Sequence, residues 1–370
     1  PLVRFLLIDA VWTGQNRDAC VNVLTGACWP FVWAKFNQFV YGFYPADQLW
    51  RPNVVFALGL MLLIPLLVPS LPLKRLNASL LLVVYPVVSF VLSTGGNLHP
   101  QRFFVGRIVR LSDYITPITI MGIRSTFWID FIASAAVLSI VIAVIARLFG
   151  TRLTTSFKVL GIFFSLLAII ILPLDVDFGL GWVETREWGG LLVTLVVAVT
   201  GIVAALPIGI LLALGRRSDM RLVRWASIAF IEFWRGVPLI TILFFATYML
   251  PLFLPGGANI ERLVRALIGV ALFSGAYMAE VVRGGLQAIP KHQYESAAAL
   301  GLGYWKTMGL IVLPQALTNV IPGIVNNFIG LFKDTTLVQI VAILDLLGQI
   351  RSAFSDPNWA SPTTLYTGFA

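Results

Sequence analysis

The 370-residue chain is 58% hydrophobic and only 12% charged, where an ordinary soluble domain carries about a quarter charged residues. That leaves too little polar chain to cover a water-facing surface and points to a bilayer. A net charge of +9 on such a chain does not signify a nucleic-acid-binding module, so the question becomes where its 26 Lys and Arg lie.

Taken in chain order, the expected fold class is all-α, a polytopic membrane helix bundle. The sequence starts at Pro1 and Leu2 to Trp12 reads like the tail of a spanning helix, which suggests a trimmed chain. The segment 9–52 reads as an outside loop holding Cys20 and Cys28, eight positions apart. In an oxidising compartment these two can pair; two free thiols in a loop held by Trp29, Phe31 and Trp33 is the other reading. A spanning helix needs about 20 apolar residues to cross ~30 Å of hydrocarbon. Eight stretches approach that, at 54–72, 79–93, 129–147, 157–173, 190–214, 226–254, 263–283 and 309–332. None alternates with period 2, which favours helices over an outer-membrane barrel. Pro65, Pro86, Pro207 and Pro238 fall inside these runs and read as kinks, because neighbouring helices can satisfy the backbone groups they free. Thr364 to Ala370 looks like the start of another helix, so partial helices are expected at both ends.

Orientation follows from the basic residues. With 283–308 placed in the cytoplasm, alternation puts 72–78, 147–158 and 215–225 there too, and these segments hold 12 Lys/Arg in 56 residues. The opposite side holds 12 in 151 residues, so the density differs in the direction the positive-inside rule requires. Arg102, Arg107, Arg110 and Arg124 crowd one outside loop and run against the pattern.

Several chemistries lack their motifs. There is no G-x-x-x-x-G-K-[ST] phosphate loop and no G-x-S-x-G elbow, and Gly301 with Gly303 makes only a partial glycine match. His99 and His292 stand 193 positions apart, on opposite sides of the expected membrane, which argues against a metal centre. The chain itself is therefore not expected to be an enzyme or to hold a cofactor.

The most informative stretch lies between the last two apolar runs. Pro290 suits the first turn of a new helix, Glu295-Ser296-Ala297-Ala298-Ala299-Leu300 continues it, and Gly301-Leu302-Gly303 interrupts it. A second helical piece runs from Tyr304 through Ile311-Val312-Leu313-Pro314 back into the membrane. Glu295-Ser296-Ala297, Gly301, Ile311, Leu313 and Pro314 match the spacing of the EAA loop, and so resemble the permease subunits of binding-protein-dependent (type I) ABC importers. Ser296 is the one departure. Six of seven such hits arise by chance on the order of one time in a thousand or less. Ala276-Tyr277-Met278-Ala279-Glu280, Arg283-Gly284-Gly285, Arg235-Gly236-Val237-Pro238-Leu239 and Lys333-Asp334-Thr335-Thr336-Leu337 resemble blocks of the polar amino-acid branch, in which His292 takes the place of a usual glycine. Arg17-Asp18-Ala19-Cys20, Gly26-Ala27-Cys28-Trp29-Pro30 and Tyr41-Gly42-Phe43-Tyr44-Pro45 are similar to the longer membrane subunit of general L-amino-acid transporters.

The resemblance implies a division into an N-terminal membrane extension, 1–187, with periplasmic loops and extra helices, and a permease core, 188–370, with a coupling loop at 284–310. It implies a multi-pass protein of the bacterial inner membrane that transports polar L-amino acids. Its partners would be an ATP-binding subunit dimer holding ATP and Mg, a second homologous permease subunit, and a periplasmic amino-acid-binding protein. In that scheme Glu295 meets a basic group of the ATPase, Ala297 permits close approach and Gly301 permits the turn. Charges inside spans are costly and mark candidates for the substrate path. Glu232 with Arg235, and Glu280 with Arg283, are three apart and can neutralise each other as pairs; they either line the path or its gate, or form intrahelical or interhelical ion pairs near the cytoplasmic interface. Asn319 and Asn326, seven apart, share a helix face, with Asn327, Lys333 and Asp334 beside or beyond them. An ion-coupled secondary transporter that works without an ATPase is the alternative, and it would show paired broken helices in two inverted halves.

Overall fold

A computed structural model describes residues 2–21, 26–68, 70–96, 119–120, 123–148, 161, 164–165, 167–169, 171–173, 176–253 and 261–369. In chain order its main helices are α1 (Trp29–Tyr41), α2 (Ala46–Leu67), α3 (Leu76–Thr94) and α4 (Ser125–Leu148), the last preceded by a two-residue hairpin, β1 (Thr119–Ile120) with β2 (Ile123–Arg124). Then come α5 (Gly190–Arg216), α6 (Arg221–Gly236), α7 (Leu239–Phe253), α8 (Arg262–Gln287), α9 (Lys291–Ala299), α10 (Tyr304–Asn319), α11 (Ile321–Val341), α12 (Leu346–Ala353) and α13 (Pro362–Phe369).

Among the described residues four helices, α2, α3, α5 and α8, are long and apolar enough to cross a membrane unaided. Two expected spans are broken helices. The run at 226–254 bends by 100° between α6 and α7, and the run at 309–332 bends by 63° between α10 and α11. Counting each bent pair as one span gives six. Pro238 is therefore a segment end and not a kink: it precedes α7 in an extended conformation (φ −58°, ψ 142°), and its ring denies it a backbone N–H to continue α6. Pro65 and Pro207 do lie within helices, as expected. The run at 129–147 corresponds to α4, while most of 157–173, together with His99, Arg102, Arg107 and Arg110, lies outside the described residues.

The chain divides into two compact units, Pro1–Tyr44 with Arg186–Phe253 and Asn259–Ala370 as one, and Pro45–Thr185 as most of the other. The first 44 residues thus belong with the C-terminal half. In the second unit α2 and α3 are neighbours, tied by a Tyr85 hydroxyl that donates to the Val55 carbonyl at 3.1 Å. Buried Arg51 donates to the Gly181 carbonyl at 2.7 Å. Leu60, Met61, Leu67 and Val83 stay exposed, the lipid-facing character expected of an apolar helix in hydrocarbon.

The first unit is built around α5 and α8, which make the most extensive helix contact among the described residues. Lipid removes the hydrophobic drive between spans, so close backbone approach carries the packing. A Cβ on Gly209 of α5 would come within 2.7 Å of Met278 Cγ on α8, and one on Gly275 of α8 within 2.5 Å of Ile208 Cγ2 on α5. Each helix therefore presents a notch that takes the other's side chain, with Ala205, Ala213, Val282 and Leu286 sealing the core around them.

At 27 residues, α5 is about 40 Å long and separates two polar ends. At its N-terminus the Gly190 N–H donates to the Leu344 carbonyl and the Thr194 hydroxyl accepts from the Leu346 N–H, both at 3.0 Å, while Gln38 on α1 donates to Gln349 on α12 at 3.2 Å. Cys20 and Cys28 are joined by a disulfide with Cα atoms 5.7 Å apart, buried with Phe31, Phe39, Ala353 and Trp359. At the C-terminus of α5 stand Arg216 and Arg217.

Candidate functional site

The Glu295 motif forms α9. Pro290 fixes the entry (φ −64°, ψ 147°), and Gly301 closes the exit at φ +70°, a left-handed conformation that favours glycine. There the Gly301 N–H donates to the Ala298 carbonyl at 2.9 Å and the Leu302 N–H to the Ala297 carbonyl at 3.1 Å. This paired arrangement satisfies two of the carbonyls a helix end leaves open and fixes a sharp stop. Pro314 follows a widened π-type turn over Met308–Val312 and is exposed.

Side-chain exposure divides the motif. Glu295 and Ser296 face outward, with Leu300 at 75% and Trp305 at 74% exposure beside them, whereas Ala297 is fully buried within its own chain. The alanine lets α9 settle onto the unit's core rather than admitting a foreign surface to that position. Two further contacts hold α9 in place. Arg217 Nη1 donates to the Tyr294 hydroxyl and to the Leu286 carbonyl, both at 3.2 Å, with its guanidinium 5.7 Å from the Tyr294 ring centroid. Gln315 donates to Gln293 at 3.3 Å.

Of the two pairs the spacing suggests, Glu280–Arg283 forms and Glu232–Arg235 does not, and both acids also pair between helices. Glu232 meets Arg216 at 3.2 Å instead of Arg235. Glu280, with 16% of its side chain exposed, is the hub: Arg216 lies at 2.8 Å, Arg283 at 2.7 Å and Arg235 at 3.9 Å, so one carboxylate joins α5, α6 and α8. Only the Glu280–Arg283 pair is the local i, i+3 contact its spacing predicts. Arg235 also lies over the Tyr277 ring, 5.6 Å from its centroid. Arg216 escaped the sequence reading because its acids are 16 and 64 positions away.

Asn319 and Asn326 do not share a helix face. The 63° break at Val320 separates them, leaving Asn319 exposed at the end of α10. A signal for this break was present in Pro322, which sits in the first turn of α11 and marks a new helix start. Asn326 and Asp334 line a cavity of about 420 Å³ between α8 and α11, with Ser274, Tyr277 and Asn327. Lys333, the neighbour of Asp334, is exposed and outside it. Ser274 Oγ and Asn327 Nδ2 are buried and make no hydrogen bond in the structure. The volume falls in the range of small-molecule sites, about 300–1,000 Å³. Among the described residues no group of three or more His, Cys, Asp or Glu is placed to hold a metal ion.

Residues 205–370 match the family model described as the binding-protein-dependent transport system inner membrane component. The inner membrane amino-acid ABC transporter permease protein YhdY of Escherichia coli (strain K12) is 42% identical over 364 residues, covering 98% of this chain and 77% of that protein. The glutamate/glutamine/aspartate/asparagine transport system permease protein BztC of Rhodobacter capsulatus is 41% identical over 367 residues, covering 95% and 78% respectively. The crystal structure of an amino acid ABC transporter with histidines aligns at a TM-score of 0.43 and 28% identity, over 49% of this chain and 82% of that one. The chain therefore belongs to the multi-pass inner-membrane permeases of binding-protein-dependent ABC transporters, membrane subunits whose ATP is hydrolysed by a separate partner.

Proposed function

We propose that this permease imports amino acids, that α9 is the helix through which it engages its ATPase, and that the cavity between α8 and α11 is part of the substrate path. The observation that carries the coupling role is the anchored, outward-facing surface of α9: Glu295 and Ser296 lie exposed on a helix fixed at its exit by the Gly301 turn. Glu295 supplies the acid for a basic group on the ATPase. The disulfide and the Arg216–Arg217 end lie at opposite ends of α5, which agrees with an oxidising periplasm on one side and a basic cytoplasmic face on the other.

A zwitterionic substrate needs an acceptor for its ammonium and donors for its carboxylate. Asp334 meets the first need, and Ser274 Oγ and Asn327 Nδ2, both left without partners, meet the second. Glu280 and Arg235, equal candidates by residue type, are already engaged with each other and with Arg216 and Arg283. Val325, Ile329 and Phe332 leave an exposed apolar stripe on α11 at i, i+4 and i+7, suited to a second, homologous permease subunit completing the path. Family membership weighs against the ion-coupled secondary transporter.

The test is reconstitution with the ATPase and binding protein. Glu295→Lys and Gly301→Val should insert normally yet lose both uptake of labelled amino acids and substrate-stimulated ATP hydrolysis. Normal stimulation in both variants would falsify the coupling role of α9.

A further inference from the structure

Arg216 and Arg217 are consecutive at the cytoplasmic-side end of α5 in the orientation proposed above, and successive side chains diverge by about 100° around a helix. They use that divergence to grip two different bodies. Arg216 reaches the mostly buried Glu280 on α8 at 2.8 Å and the exposed Glu232 on α6 at 3.2 Å. Arg217 reaches the other way, to the Tyr294 hydroxyl of α9 and to the Leu286 carbonyl in the last turn of α8, both at 3.2 Å. Among the described residues no other hydrogen bond or ion pair runs from α9 to a charged group of the spanning helices.

We infer that this arginine pair is the junction through which displacement of α9 reaches the spans, with Arg217 and Tyr294 as positioning residues for the transport cycle. A shift of α9 acts on the Tyr294 hydroxyl and so on Arg217. Its neighbour in the same turn holds the Glu280 hub, which ties α5 to α6 and α8. Movement of a peripheral helix is thereby delivered to three spans at one point, by contacts weak enough to be remade in each cycle because Arg217 is exposed. The inference rests on α9 being the ATPase contact, and the experiment separates the two.

Arg217→Ala, Tyr294→Phe and Glu295→Lys would each be reconstituted in proteoliposomes with the ATPase and binding protein, measuring subunit association, ATP hydrolysis and uptake. Arg217→Ala and Tyr294→Phe should retain the ATPase and hydrolyse ATP, while amino acid carried per ATP falls about threefold, the scale of one exposed charged contact. A merely structural role would lower yield and leave that ratio unchanged. Tyr294→Phe removes a single oxygen and decides the matter if Arg217→Ala fails to fold. An unchanged ratio in Tyr294→Phe, with Glu295→Lys still uncoupled, overturns the junction and leaves the coupling helix standing. Normal association and hydrolysis in Glu295→Lys overturns the α9 reading itself, and the junction with it.

Discussion

The two ends of α5 are secured by opposite means. At its N-terminal end the fastening is buried hydrogen bonding, Gly190 to Leu344 and Leu346 to Thr194, beside a loop closed by the Cys20–Cys28 disulfide, which sits with Phe31 and Trp359 and has hydroxyls of Thr363, Thr364 and Thr367 bonded to backbone groups around it. At its C-terminal end the fastening is ionic, converges on Glu280 and grades outward into exposed contacts at Arg217. Dry, hydrogen-bonded packing costs a full desolvation penalty to open, whereas a charge cluster near an interface can exchange partners or take up water. One end is built to stay and the other to change partners.

The comparison breaks most severely at Glu280. Glu280→Gln leaves Arg283 and Arg235 beside a neutral amide and Arg216 with Glu232 alone, and the loss should cost about 3 kcal/mol, read as a lowered unfolding midpoint of the detergent-solubilised protein. Opening the disulfide beside the other end should cost somewhat less. Replacing Cys20 and Cys28 with serine frees a short loop, worth about 2 to 3 kcal/mol, and a reducing agent should reproduce the shift in the unaltered protein.

The smallest effect sharpens the contrast at Asp345, which caps α12 by accepting the Gly348 N–H at 2.9 Å. Burial pushes its carboxyl above the usual carboxylate range, against the backbone N–H groups of Gly348 and Leu347 and the charge of Arg351, which hold it down. The folded state keeps this proton more tightly than the unfolded chain does. Its stabilisation is therefore complete below the ordinary carboxylate pKa and is lost as pH rises through the raised value. Asp345→Asn should flatten that pH dependence while still capping, and Asp345→Ala should cost about 1 kcal/mol.

Much of this was legible in the sequence because hydropathy and motif spacing are local. The spans at 190–214 and 263–283 fall within α5 and α8, and the Glu295-to-Gly301 spacing gives one helix and its turn. The breaks were harder to read. A proline in a membrane run is compatible with a kink, as at Pro207, or with an end, as at Pro238, and local composition does not separate them. Charge partners were harder still. Glu232 has Arg235 one turn away yet pairs with Arg216, because α5 comes close to α6 beside Gly215, where an added Cβ would meet the Ser227 hydroxyl, and this brings a second guanidinium within reach. The same holds for the cavity: Asn326 stood out as a polar residue in an apolar run and Asp334 as a charge just beyond it, but Ser274, on another helix, did not.

The interlocked notches at Gly209 and Gly275 also limit where motion can occur. For α5 to slide along α8, Met278 would have to climb out of one notch and Ile208 out of the other, losing close contacts that lipid cannot replace. These two helices therefore travel as a single strut. Among the described residues the broken spans, with a 100° elbow before Leu239 and a 63° elbow before Ile321, are where alternation of access is expected to be taken up. A crosslink fixing α5 to α8 should consequently leave transport running, whereas a crosslink bridging either elbow should stop it.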